Sequence, residues 1–215
     1  MQNDFIITLA WPEGLVIAPG SWYDKIASSN GKYRVGHSAI VLINSETKKS
    51  HYFDFGRYHT PKGYGRARDK ETDADVAVMD PEIQNDKVVN VKEILLQLSK
   101  MKATHGEGKM YASLIMDVNF NKAFSKAKSI QEKGMLAYGP FTTKGTNCAR
   151  FVASVLGSAS TSFIKKLRLK FPFCISPSPK RNVSITNHHY YIVENSTCVE
   201  VKKSKLQAYF SSIEQ

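Results

Sequence analysis

Residues 36–44, GHSAIVLIN, set the tightest limit on what this chain can fold into. An almost unbroken apolar run of this length, rich in β-branched residues, reads as a central strand of a sheet. The turn sequence SETKK follows, then HYFDFGRY at 51–58, and the two runs read as a β-hairpin. If the hairpin turns around Glu46 and Thr47, Ala39 pairs with Asp54, and His37 and Asp54 fall on one face. A slip of one residue puts His51 on that face instead.

Other elements follow from periodicity. Residues 4–10, within the short β-branched apolar stretch Phe5 to Trp11, read as a strand ended by Trp11-Pro12-Glu13-Gly14. VKEILLQLSKM at 91–101 is an amphipathic helix, with Val91, Ile94, Leu95 and Leu98 on one face. KMYASLIMDV at 109–118 is a strand, and Asn119 or Asn121 can cap the helix that runs on to about Lys133, with Gly134 as its stop. TNCARFVASVLG at 146–157 places Phe151, Val152, Val155 and Leu156 at helical spacing. The segment 59–75 reads as a loop, residues 171–187 as irregular because of Pro172, Pro177 and Pro179, and HHYYIVEN with CVEVKK as a final hairpin. Strands outnumber helices, and the expected class is α+β. At 215 residues the expectation is one domain, 1–215, with loop and helical elaboration over about 60–145.

Bulk properties narrow the function classes. No apolar run approaches the roughly 20 residues of a membrane-spanning helix. The amino-terminal residues lack a basic region before their apolar stretch, so a cytoplasmic protein is expected. Three cysteines, Cys148, Cys174 and Cys198, are an odd number and argue against a disulfide framework. No CxxC or clustered Cys/His spacing suggests a metal, and the adjacent His188 and His189 point to opposite faces of a strand. No cofactor is expected. The net charge of +11 favours encounter with something acidic, densest at KKLRLK 165–170, yet no nucleic-acid motif accompanies it.

Cys148 stands where a loop meets an amphipathic helix, with the capping residues Thr146 and Asn147 before it. Exposed N–H groups and the positive end of the helix dipole stabilise a thiolate there. A thiol nucleophile needs a base, and the base needs an orienting group. His37, directly after Gly36 at the open end of the central strand, is one candidate base, and Asp54 is the candidate orienting group, with His51 the alternative. His188 or His189, on the strand after the cysteine, is the other candidate base. Arg57, Tyr58, Tyr64, Arg66 and Arg68 lie on a glycine-rich segment beside that strand and are candidates to grip a substrate carboxylate or phosphate. Trp22 and Tyr23 are candidates to wall a pocket.

The blocks GHSAIVLIN, YFDFGRY and TNCARFV, in that order, resemble the circularly permuted branch of the NlpC-type papain-like superfamily. That branch includes lecithin:retinol acyltransferase-like proteins and permuted bacterial cell-wall-peptidase relatives. The chain is also similar to an uncharacterised bacterial family with a DFGRY motif. The resemblance implies a papain-like fold with the histidine strand before the cysteine helix. It also implies Cys148 as nucleophile, His37 as base and a polar third residue on the next strand. The implied activity is that of a cysteine amidase or peptidase acting on a peptide or peptidoglycan fragment. A thiol acyltransferase or esterase on a lipid ester, and a binding protein holding an acidic partner on the same scaffold, are the alternatives.

Overall fold

The computed structural model describes residues 4–17, 32–34, 36–139, 142–160, 162–170, 178–186 and 189–202. Trp22, Tyr23, Cys174 and His188 lie outside these residues. The strands are β1 (Asp4–Trp11), β2 (Leu15–Ile17), β3 (Lys32–Arg34), β4 (His37–Asn44), β5 (Lys49–Gly56), β6 (Tyr64–Arg68), β7 (Ile83–Gln84), β8 (Lys87–Val88), β9 (Met110–Val118), β10 (Leu136–Ala137), β11 (His189–Glu194) and β12 (Thr197–Lys202). The α-helices are α1 (Val91–Lys100), α2 (Phe120–Gln131), α3 (Cys148–Ala159), α4 (Phe163–Lys170) and α5 (Pro179–Thr186).

Eight strands form one sheet in the order β10-β6-β5-β4-β1-β9-β11-β12, every neighbouring pair antiparallel. Four strands lie on the β12 side of β4 and three on the β10 side, so the apolar run 36–44 is indeed central. Both faces of β4 are covered, which is why seven of its eight residues are buried and no alternation survives. On one face Ile40, Leu42, Phe53 and Phe55 meet Phe120, Ala123 and Ala127 of α2 and Phe151, Val152 and Val155 of α3. On the other, Leu9, Ala39, Val41 and Tyr52 pack with Ile94, Leu95 and Leu98 of α1. Each large apolar side chain sealed in this way contributes roughly 1.5–3 kcal/mol. The result is a mixed α+β fold with a large antiparallel sheet and the cysteine-bearing helix on one face, the arrangement expected of a papain-like protein.

Two expectations are corrected. The segment 59–75 is not all loop: Tyr64–Arg68 forms β6, paired with β5 through Asp54↔Arg68 and Gly56↔Arg66. Residues 171–187 are not all irregular either, because Pro179–Thr186 is helical. Pro179 occupies the first helical position, where its missing N–H costs nothing.

Candidate active site

The hairpin register decides the site. Ala39 pairs with Asp54 and Leu42 with His51, as a turn around Glu46 and Thr47 requires. His37 and Asp54 thereby share a face, and His37 Nε2 donates to Asp54 Oδ2 over 3.0 Å. His51 points the other way, into Phe120 and Phe124 of α2, with ring centroids 5.5 and 5.1 Å apart.

Gly36 makes the placement of His37 possible. Its φ is +61°, and a Cβ there meets the Trp11 carbonyl oxygen at 2.3 Å and Pro12 Cα at 2.7 Å. The chain therefore turns into β4 hard against the end of β1. The Trp11 indole then stacks beside the imidazole, 25° from parallel and 5.8 Å away between centroids.

Cys148 opens α3, capped by Asn147, whose Oδ1 accepts the Arg150 N–H at 2.8 Å. From the far side, Asn182 of α5 donates Nδ2–H to the Ala149 carbonyl over 2.8 Å and holds the first turn in place. The thiol is buried, with 5% of its residue surface exposed. Its side chain hydrogen-bonds His37 and the Tyr138 hydroxyl, and the Ser38 backbone N–H donates to it. Because Nε2 of His37 is committed to Asp54, Nδ1 is the nitrogen left for the thiol. The Tyr138 hydroxyl also accepts the backbone N–H of Cys148.

Asp54 is fully buried and gathers donors from every side. Oδ2 accepts His37 Nε2, the Tyr52 and Tyr58 hydroxyls at 2.9 Å each, and Arg68 Nη2 at 3.0 Å, while Oδ1 accepts Arg68 Nε at 2.9 Å. Arg68 is held in turn by the Ala103 carbonyl and stacks its guanidinium 3.5 Å over the Tyr58 ring. A buried carboxylate with this many donors, one of them a guanidinium, keeps its charge.

The titration behaviour follows from the contacts. Burial by itself pushes the His37 imidazolium down, but the hydrogen bonds to Asp54 and Cys148 and the charges of both raise it from 6.5 to about 9. Burial pushes Asp54 up, yet His37 and Arg68 hold it at about 2. Burial likewise pushes the Cys148 thiol up, and His37, Tyr138 and the Ser38 N–H outweigh that and bring it below its ordinary value. By contrast, burial leaves the Cys198 thiol raised. The imidazolium and the thiolate thus each favour the charged form of the other.

The remaining sequence candidates sort by position. His189 lies on β11, with β1 and β9 between it and β4, roughly 14 Å across the sheet at ordinary strand spacing. Its Nδ1 faces Glu200 at 3.3 Å, so the histidine that lies beside Cys148 is His37 and not His189. Tyr58 sits behind the imidazole, its hydroxyl on Asp54, rather than in an open pocket. Arg66 is spent inside its own loop, with a bidentate pair to Asp73 at 2.7 Å and Nε on the Tyr58 carbonyl. Arg57 is exposed, its guanidinium 5.2 Å from the Tyr138 ring centroid. Arg68 was read as a loop cation and is instead part of the buried cluster. Tyr52, Trp11 and Tyr138 were not singled out as site residues. A buried Asp on a central hairpin demands a cationic partner, and Arg68 on the next strand meets that demand.

Fold and site thus define an α+β protein with a cysteine, a histidine and an aspartate in one hydrogen-bonded line. A family model described as type VI secretion system effector TseH-like matches residues 6–163, a span that contains all three, and the chain belongs to that family. A crystal structure of the type VI secretion system effector TseH shares the fold at a TM-score of 0.62 and 18% identity, covering 94% of this chain and 99% of that one. No curated protein matches the chain. No helix among the described residues is long and apolar enough to cross a membrane.

Proposed function

We propose that the chain is a cysteine hydrolase, an amidase or peptidase, with Cys148 as nucleophile, His37 as base and Asp54 as the group that orients the base. One observation carries the reading: a continuous hydrogen-bonded line from Asp54 through His37 to a thiol at a helix N-terminus. A structural cysteine has no use for a lowered pKa or for an imidazole held in one tautomer.

In this mechanism the thiolate attacks an amide carbonyl and forms a C–S bond. The oxyanion is within reach of the Cys148 N–H, which at rest is given to the Tyr138 hydroxyl. The C–N bond breaks, and the leaving amine takes the proton from His37. Water then adds to the thioester, giving its proton to His37, and the acid leaves as the thiolate re-forms. Asp54 stays ionised throughout and stabilises the imidazolium.

His37 precedes Cys148 in the chain, and this order supports a circularly permuted papain-like arrangement. Family membership supports a role as an effector exported by a type VI secretion system. The amide would then belong to a peptide or peptidoglycan fragment of the target, and the chain would reside in the cytoplasm before export. The test is release of new amino groups from a panel of peptides and peptidoglycan fragments by the wild-type chain and by Cys148→Ala. Release that survives in Cys148→Ala, or release from none of the panel by a folded wild type, rejects the reading.

A further inference from the structure

The 57–68 segment carries three arginines with different fates. Arg66 is neutralised by Asp73 and Arg68 by Asp54. Arg57 is exposed, and among the described residues no carboxylate pairs with it. Its fixed neighbour is the face of Tyr138. That tyrosine is itself immobilised: its ring stacks on Phe55 at 5.9 Å, its N–H goes to the Gly63 carbonyl at 2.8 Å, and it bridges to Thr146 just before α3. Its hydroxyl touches the Cys148 thiol. Arg57 therefore stands one aromatic ring away from the nucleophile.

The charges around it give the position meaning. The thiolate, the imidazolium, Asp54 and Arg68 cancel among themselves. Arg57 adds an uncompensated positive charge beside a neutral cluster, on the far side of the Tyr138 ring. A guanidinium stacked on a ring keeps its donor edges free and is already oriented, so it loses little freedom on meeting a planar anion. One unpaired charge with a fork of donors suits a monoanionic carboxylate.

We propose that Arg57 is a carboxylate subsite that selects amides bearing a free carboxylate about one residue from the scissile bond. The inference rests on Cys148 being the nucleophile, and it names the substrate class that nucleophile serves.

The experiment uses two thiol reagents of one shape, N-iodoacetylglycine and N-iodoacetylglycinamide. In each the thiolate displaces iodide and forms an S–C bond; only one carries a carboxylate one residue from the attacked carbon. The rate ratio of the two at Cys148, read by mass spectrometry of the cysteine peptide, measures the subsite without knowledge of the substrate. Arg57→Gln is expected to lower the ratio about tenfold, the worth of one charge-assisted contact. Arg57→Lys is expected to keep most of it, and Lys92→Gln, which removes an exposed charge from α1, to keep all of it. A ratio unchanged in Arg57→Gln while Cys148 is still alkylated overturns the subsite and leaves the nucleophile standing. An equal fall in Lys92→Gln overturns it as well, because bulk charge then explains the preference. If neither reagent modifies Cys148 in the wild type, the nucleophile assignment falls and the subsite falls with it.

Discussion

Replacing His37 by alanine isolates what the imidazole does for the thiol. Burial at Cys148 favours the neutral thiol, and His37 is the largest of the influences that reverse it, ahead of Tyr138 and the Ser38 N–H. Without the imidazole the thiol returns toward, or above, the ordinary value of 9.0. At pH 7 a thiol at 9.0 is about 1% thiolate, so alkylation at neutral pH is expected to slow against the wild type, by up to roughly a hundredfold. The assay is iodoacetamide modification followed cysteine by cysteine from pH 5 to 10, with Cys198, whose thiol burial raises, as the internal reference. The wild type should show a plateau at neutral pH and a second rise near pH 9, where His37 loses its proton and frees the thiolate from its ion pair. His37→Ala should show one rise, near that of Cys198 and without a plateau. A wild-type Cys148 that titrates together with Cys198, or a plateau that survives in His37→Ala, refutes the reasoning.

Three further perturbations test the same cluster. Asp54→Asn removes two of the influences that lift His37, so the upper limb of the alkylation profile should move down from about pH 9 toward 6.5; because Arg68 is left buried and unpaired, urea denaturation should also show a loss of about 3–5 kcal/mol. The stability of the wild type should stay nearly level between pH 6.5 and 9. His37 binds its proton more tightly folded than unfolded, so its contribution is whole below pH 6.5 and gone above about 9, while Cys148 gives up its proton more readily folded than unfolded and its contribution grows over the same window; a fall in unfolding free energy of more than about 2 kcal/mol across it would show that the thiol is not lowered. Gly36→Ala forces a side chain into the Trp11 carbonyl at a positive φ, and should cost at least about 2 kcal/mol by chemical denaturation while lowering Cys148 reactivity, since His37 is the next residue.

The site was legible in the sequence wherever local rules fix it. A turn around Glu46 and Thr47 sets the β4–β5 register by counting, and that register alone separates Asp54 from His51. The cysteine helix announced itself through its cap, because Asn147 satisfies an orphan N–H whatever packs above it. What stayed hidden depends on pairing that no local rule determines. Arg68 lies directly opposite Asp54 only because Tyr64–Arg68 adds a strand to the hairpin, and glycine, proline and charge on the approach disguise that strand as loop. Tyr138 reaches Cys148 through a single bridge to Thr146 across the loop that precedes α3.

The hidden half explains the legible half. A histidine and an aspartate on one face of a hairpin are common; alone, a buried aspartate beside a neutral imidazole would tend to protonate. His37 is the largest influence lowering Asp54 and Arg68 the next, and Arg68 is the one that is charged whatever the proton state of the imidazole. The imidazolium therefore forms against a charge already in place, and the thiolate forms against the imidazolium. The order of dependence runs from β6 to β5 to β4 to α3. Loosening the outermost member should consequently appear as lost reactivity at Cys148, even though Arg68 hydrogen-bonds Asp54 and Ala103 rather than the thiol. Arg68→Lys, which keeps the charge but not the fork, is the variant that separates these contributions. If charge alone matters, its alkylation plateau matches wild type. If the two-point grip on Asp54 sets the imidazole's orientation, the plateau drops while His37 still titrates well above 6.5.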